Sequence, residues 1–110
     1  MSLKIQFIPE AAKDYSLLDG SIKKQVNEKI DKLKENPFLG EALGNRNGIN
    51  LTGYYKIYAA KKSYRIVYRI IKGKIEIVEI WGIGKRDKMG IYKIIQRRLT
   101  QKKVPPKKSP

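Results

Sequence analysis

The chain has 110 residues, 41% of them hydrophobic, with no cysteine and no histidine. One compact core is therefore expected, and zinc centres, thiol nucleophiles, serine–histidine triads and imidazole acid–base chemistry are excluded. The 25 Lys and Arg residues against 10 Asp and Glu give a net charge of +15, and they are spread unevenly: residues 53–74 carry seven basic groups and no acidic one, and residues 85–110 carry ten against Asp87 alone. Such a field attracts a polyanion, RNA or DNA first and an acidic protein second. No apolar run approaches the roughly 18 residues of a membrane span, and no signal-peptide core follows the start, so a cytoplasmic protein without membrane association is expected.

In chain order, Lys4 to Ile8 alternates with Ile5 and Phe7 on one side, which predicts a first strand stopped by Pro9. Ala11, Tyr15 and Leu18 recur at helical spacing before an Asp19-Gly20 turn. From Ser21, expected as an N-cap, the positions Ile22, Val26, Ile30 and Leu33 predict a longer helix, ended by Asn36-Pro37. The Gly- and Asn-rich stretch from Phe38 to Gly53 reads as a loop that returns the chain. Three strands are predicted next: Tyr54 to Ala60, Ser63 to Ile71, then, after the Lys72-Gly73 turn, Ile75 to Trp81. Asp87 is placed to cap a last helix whose apolar stripe is Ile91, Ile94, Ile95 and Leu99. Residues 102–110, rich in Lys and Pro, are expected to form a disordered tail to a single domain over 1–101.

The expected fold is α+β, in the order β-α-α-β-β-β-α, with a small antiparallel sheet, a helical hairpin and a C-terminal helix. With the helices over one face, the other is expected to be open. Strand parity then decides its chemistry: if Tyr55, Ile57, Tyr64, Ile66 and Tyr68 face the helices, Lys56, Tyr58, Arg65 and Arg69 lie on the open face, which is cationic. Glu76 and Glu79 fall on opposite faces of their strand and form no paired-carboxylate or metal site, and Trp81 reads as core.

Tyr55-Lys56-Ile57, Ser63-Tyr64-Arg65-Ile66-Val67-Tyr68, Gly84-Lys85-Arg86-Asp87 and Tyr92 together resemble the RelE toxins of type II toxin-antitoxin systems, over most of residues 4–99. The resemblance implies a ribosome-dependent mRNA endonuclease that cuts codons in the ribosomal A site, contacts ribosomal RNA and is restrained by a cognate acidic antitoxin. It implies no metal and no cofactor, because the substrate's own 2′-hydroxyl attacks the adjacent phosphorus. Carried over position by position, Lys56 matches a lysine assigned to proton removal and Arg65 the arginine that stabilises the phosphorane. Arg86 matches the arginine at the leaving group, and Tyr92 the tyrosine on which a base stacks. Tyr58, Arg69 and Lys85 are expected to bind substrate. The chain departs from the family's best-known member at Tyr58, where that member has a second lysine. Lys56, its pKa lowered by Arg65 and Arg69, is then a candidate base, and Tyr58 a group that orients the 2′-hydroxyl or stacks. Two other readings are kept: a ParE-like inhibitor of DNA gyrase, a branch that typically lacks the set of Arg65, Arg86 and Tyr92, and a noncatalytic RNA-binding module that uses the same cationic sheet.

Overall fold

The computed structural model describes residues 3–46, 48–73, 75–87 and 90–103. Strand β1 (Leu3–Phe7) alternates half-buried Leu3, Ile5 and Phe7 with exposed Lys4 and Gln6. Pro9 opens helix α1 (Pro9–Ser16) at its first position, where a missing N–H costs nothing. Helix α2 (Gly20–Glu35) is capped by Asp19 rather than by Ser21: the Asp19 carboxylate accepts from the Ile22 N–H at 2.9 Å, and the Ser21 hydroxyl donates to that same carboxylate. Asp19 has the extended backbone that a cap requires, whereas Ser21 already lies in the first turn. Val26, Ile30 and Leu33 are buried, as their spacing predicts.

The segment expected as plain loop carries short strands. These are β2 (Glu41–Ala42) and the two-stranded ribbon of β3 (Asn45–Arg46) and β4 (Ile49–Asn50), with Leu43, Ile49 and Leu51 in the core. Two-residue strands are too short to show a period of two in the sequence. Strands β5 (Tyr54–Ala59), β6 (Tyr64–Ile71) and β7 (Glu76–Lys85) form the predicted meander, in a sheet ordered β1-β7-β6-β5-β2. The sheet is not wholly antiparallel, because β1 pairs with β7 in parallel. The helical hairpin and the long return bring the chain back to its starting end, so that β5 runs as β1 does and, two hairpins later, β7 does too.

Helix α3 (Gly90–Lys103) overturns the expectation of an open face. Helices α1 and α2 cover one side of the sheet, while α3 lies across the β7 half of the other. It seats where Gly82 and Gly84 pair with Val67 and Arg65: a Cβ at Gly82 would meet Ile95 Cδ1 at 2.5 Å. Ile91 and Ile95 are buried there, each worth roughly 1.5–3 kcal/mol, but Ile94 faces solvent at one side of the stripe. The helix runs through Lys103, two residues into the segment expected as tail; the rest of that tail lies outside the described residues. Among the described residues, no helix is long and apolar enough to cross a membrane.

Beyond Phe7, β1 no longer accompanies β7, which leaves the edge of β7 from Trp81 onward without a strand. Side chains from the two helical layers take its place. Asp14 of α1 accepts from the Ile83 N–H at 3.1 Å, Arg98 of α3 donates to the Trp81 carbonyl at 2.9 Å, and the two side chains join in a bidentate pair at 2.8 and 2.9 Å.

Candidate active site

The register of β5 and β6 pairs Tyr58 with Arg65, Lys56 with Val67 and Tyr54 with Arg69, so the side chains expected on one face do share it. Coverage by α3 changes their setting. Lys56 is only 7% exposed and Arg65 only 9%. Cations so enclosed require partners. Lys56 Nζ donates to the Tyr58 hydroxyl at 2.9 Å and lies 3.2 Å from Glu41 Oε1 on the edge strand β2. Arg65 Nη1 donates to the Asp87 carbonyl at 2.7 Å, and its guanidinium lies over the Tyr92 ring at 4.9 Å. Asp87 also caps α3 as predicted, its carboxylate accepting from the Gly90 N–H at 2.7 Å.

Tyr58 is the centre of the group. Around its ring stand Lys56 Nζ at 4.6 Å, Arg86 Cζ at 5.7 Å, and Arg65 Cζ and Lys62 Nζ at 5.8 Å. Arg86 reaches this position because its N–H bonds the Ser63 carbonyl at 2.8 Å, beside the β5–β6 turn. That turn holds Ala60, Lys61 and Lys62 consecutively at positive φ, 53°, 54° and 69°, in the left-handed region that residues with a Cβ seldom adopt.

Two expected members lie apart. Arg69 sits four residues along β6 from Arg65, roughly 13 Å away at strand rise, and is paired with Glu79 at 2.7 Å over the Trp81 ring. Trp81 is buried, as read, and donates its indole N–H to the same carboxylate. Lys85 ends β7, exposed, opposite Tyr64. Tyr92 is within the group but 2% exposed, with Arg65 over its ring at 4.9 Å. Its hydroxyl is buried and has no hydrogen-bond partner among the described residues. Sequence reasoning missed Lys62 and Glu41. The first had a visible signal in its place beside a two-strand turn, the second none.

The electrostatics run opposite to the lowering expected for the Lys56 pKa. Burial by itself would lower the Lys56 pKa, but its hydrogen bonds to Tyr58 and Glu41 outweigh it, and the ammonium is held above its ordinary value. The Tyr58 phenol moves down, chiefly through the Lys56 hydrogen bond and further through Arg65, against a smaller effect of burial. Among the described residues, no cluster of His, Cys, Asp and Glu could hold a metal ion.

The profile of the ParE toxin of type II toxin-antitoxin systems matches residues 5–90. The chain belongs to the RelE/ParE superfamily of type II toxins. Within the superfamily it is of RelE type. It is 28% identical over 99 residues to a RelE-like toxin protein of Escherichia coli and 27% identical over 99 residues to the mRNA interferase toxin RelE of Escherichia coli K12. Each match covers 90% of this chain and 99% of the relative. A variant of Escherichia coli RelE in the free state shares the fold at a TM-score of 0.70 and 24% identity, over 90% of this chain and 99% of that one. The toxin-antitoxin complex RelBE2 of Mycobacterium tuberculosis contains a similar chain, with TM-score 0.62, 26% identity, and 78% and 100% of the two chains covered.

Proposed function

We propose that this RelE-type toxin is a ribosome-dependent mRNA endonuclease that cuts codons in the ribosomal A site and thereby stops translation in the cytoplasm. One observation carries the reading: four cations, Lys56, Lys62, Arg65 and Arg86, surround a single phenol on the sheet face that α3 covers in part. So dense a positive centre suits a dianionic phosphorane. The name of the Escherichia coli relative, an mRNA interferase, supports the same chemistry.

In the proposed reaction the 2′-oxygen of the substrate attacks the adjacent phosphorus, the bond to the 5′-oxygen breaks, and a 2′,3′-cyclic phosphate remains. Arg65, fixed by the Asp87 carbonyl and the Tyr92 ring, meets the equatorial phosphoryl oxygens with little reorganisation. Arg86, on the exposed side of Tyr58, faces the departing 5′-oxyanion, which takes its proton from water. Tyr92 acts by holding Arg65. Lys85 and Lys62 draw the phosphate backbone towards the site, and Arg69 adds to that field from a distance. Ribosomal RNA adjoining the A site meets the same basic surface, and a cognate acidic antitoxin would mask it; the similar chain of RelBE2 is found in a toxin-antitoxin complex.

The test is primer extension on an mRNA in a cell-free translation system, with and without ribosomes. Cuts within translated codons are expected only when ribosomes are present, and Arg65→Ala should lower single-turnover cleavage by about 100- to 1,000-fold. Cleavage of free RNA would change the substrate. No cleavage by the folded wild-type protein would favour a gyrase-directed or noncatalytic toxin.

A further inference from the structure

We infer that Tyr58 is the general base of the reaction and that Lys56 is its positioning residue. The inference rests on the ribonuclease reading and assigns the step left open where this chain carries a tyrosine. A base must accept the 2′-hydroxyl proton, so it needs a lone pair at the site, and few groups there have one. Arg65 and Arg86 are cations at any working pH. Lys56 is enclosed and held as an ammonium by two acceptors, Tyr58 and Glu41. The Tyr92 hydroxyl is buried beneath Arg65. Glu41 is joined to the group through Lys56 and already pairs with its ammonium. Tyr58 is half-buried, stands among the cations that would hold the phosphate, and already receives a hydrogen bond from Lys56.

Among the described residues, every charged group against Tyr58 acts in one direction. Lys56 on β5, Lys62 on the β5–β6 turn, Arg65 on β6 and Arg86 after β7 all favour the phenolate; Glu41 on β2 opposes it only at second hand, through Lys56. The downward shift of the Tyr58 phenol agrees, and each unit of such a shift raises the phenolate fraction at neutral pH about tenfold. In the step itself the phenolate oxygen takes the 2′-hydroxyl proton as the 2′-oxygen bonds to phosphorus and the 5′-oxygen departs. Tyr58 then returns the proton to water. Lys56 donates to the phenolate throughout and never changes its own protonation.

Two measurements test this on the full chain. Tyrosine ring-carbon NMR of the free toxin, with the signal assigned by its loss in Tyr58→Phe, should show Tyr58 titrating below the ordinary phenol value and moving up in Lys56→Met. Single-turnover cleavage on programmed ribosomes from about pH 6 to 9 should rise with unit slope for the wild type. Tyr58→Phe should fall about 100-fold or more in kcat, keep its KM and lose the slope. Lys56→Met should keep the slope but fall in rate at every pH within that range. Wild-type cleavage together with an undiminished rate and slope in Tyr58→Phe would overturn the assignment while leaving the ribonuclease reading in place. A Tyr58 signal at or above the ordinary value would overturn it too. A folded wild type that cuts nothing would remove both.

Discussion

Two buried tyrosines make the fold sensitive to alkali. The Tyr68 hydroxyl donates to the Pro37 carbonyl at 2.8 Å and accepts from the Gly40 N–H at 3.0 Å; a Cβ at Gly40 would lie 2.5 Å from that oxygen. Burial raises its pKa against the Gly40 bond, and burial raises that of Tyr54 against the field of Arg69. Because the folded state prefers both phenols neutral while the unfolded chain titrates near 10.0, their contribution is complete below that pH and is lost as pH rises through the folded values. Urea unfolding across alkaline pH should therefore show stability falling above pH 10. Tyr68→Phe should flatten part of that fall and cost about 2 kcal/mol at neutral pH, through the two partners left unpaired. Residue by residue, much of the candidate site was legible: alternation alone put Lys56, Tyr58 and Arg65 on one face. Their state was not, since the Lys56 pKa depends on Glu41, which reaches it from a strand of two residues.

The β5–β6 turn and α3 show why elements differ in what a sequence reveals. The three left-handed residues Ala60, Lys61 and Lys62 cost about 1–2 kcal/mol each relative to the right-handed region. No glycine marks them, so the strain is invisible until the backbone is traced. Lys61, exposed and not one of the four cations placed around the Tyr58 ring, is the place to relieve it. Lys61→Gly is expected to raise stability by about 0.5–1 kcal/mol in chemical denaturation, as the relieved strain exceeds the added freedom of the unfolded chain. An unchanged or lowered midpoint would contradict the strain. The apolar stripe of α3, by contrast, announced a buried helix but not the side of the sheet it covers. The signal lay in β7, where Gly82 and Gly84 two residues apart flatten one face for a helix. Without that clue, the sheet face beneath α3 read as open.

At the scale of the whole molecule, opposite layers meet through Asp14 and Arg98 around the free edge of β7. Both side chains are largely enclosed, 19% and 14% exposed. Removing one leaves a buried charge together with an unpaired backbone group. Arg98→Met or Asp14→Ala should each cost about 2–4 kcal/mol in urea unfolding. The double variant should cost less than the sum of the two, and simple additivity would show that the pair acts as two separate contacts. In the sequence Arg98 is one of ten basic residues over 85–110 and nothing sets it apart, because only the early end of β1 reveals an edge that needs a donor.

That clasp also sets an order of events. Its partners are 84 residues apart, and Arg65 is held by Asp87 and Tyr92, which follow every strand of the sheet. While a ribosome is still making the chain, Tyr58 and Arg65 can emerge and pair before Asp87 and Tyr92 are there to hold the arginine and before Arg98 reaches the edge of β7. A nascent toxin thus carries Tyr58 and Arg65 without their mounting until the residues after β7 have been added.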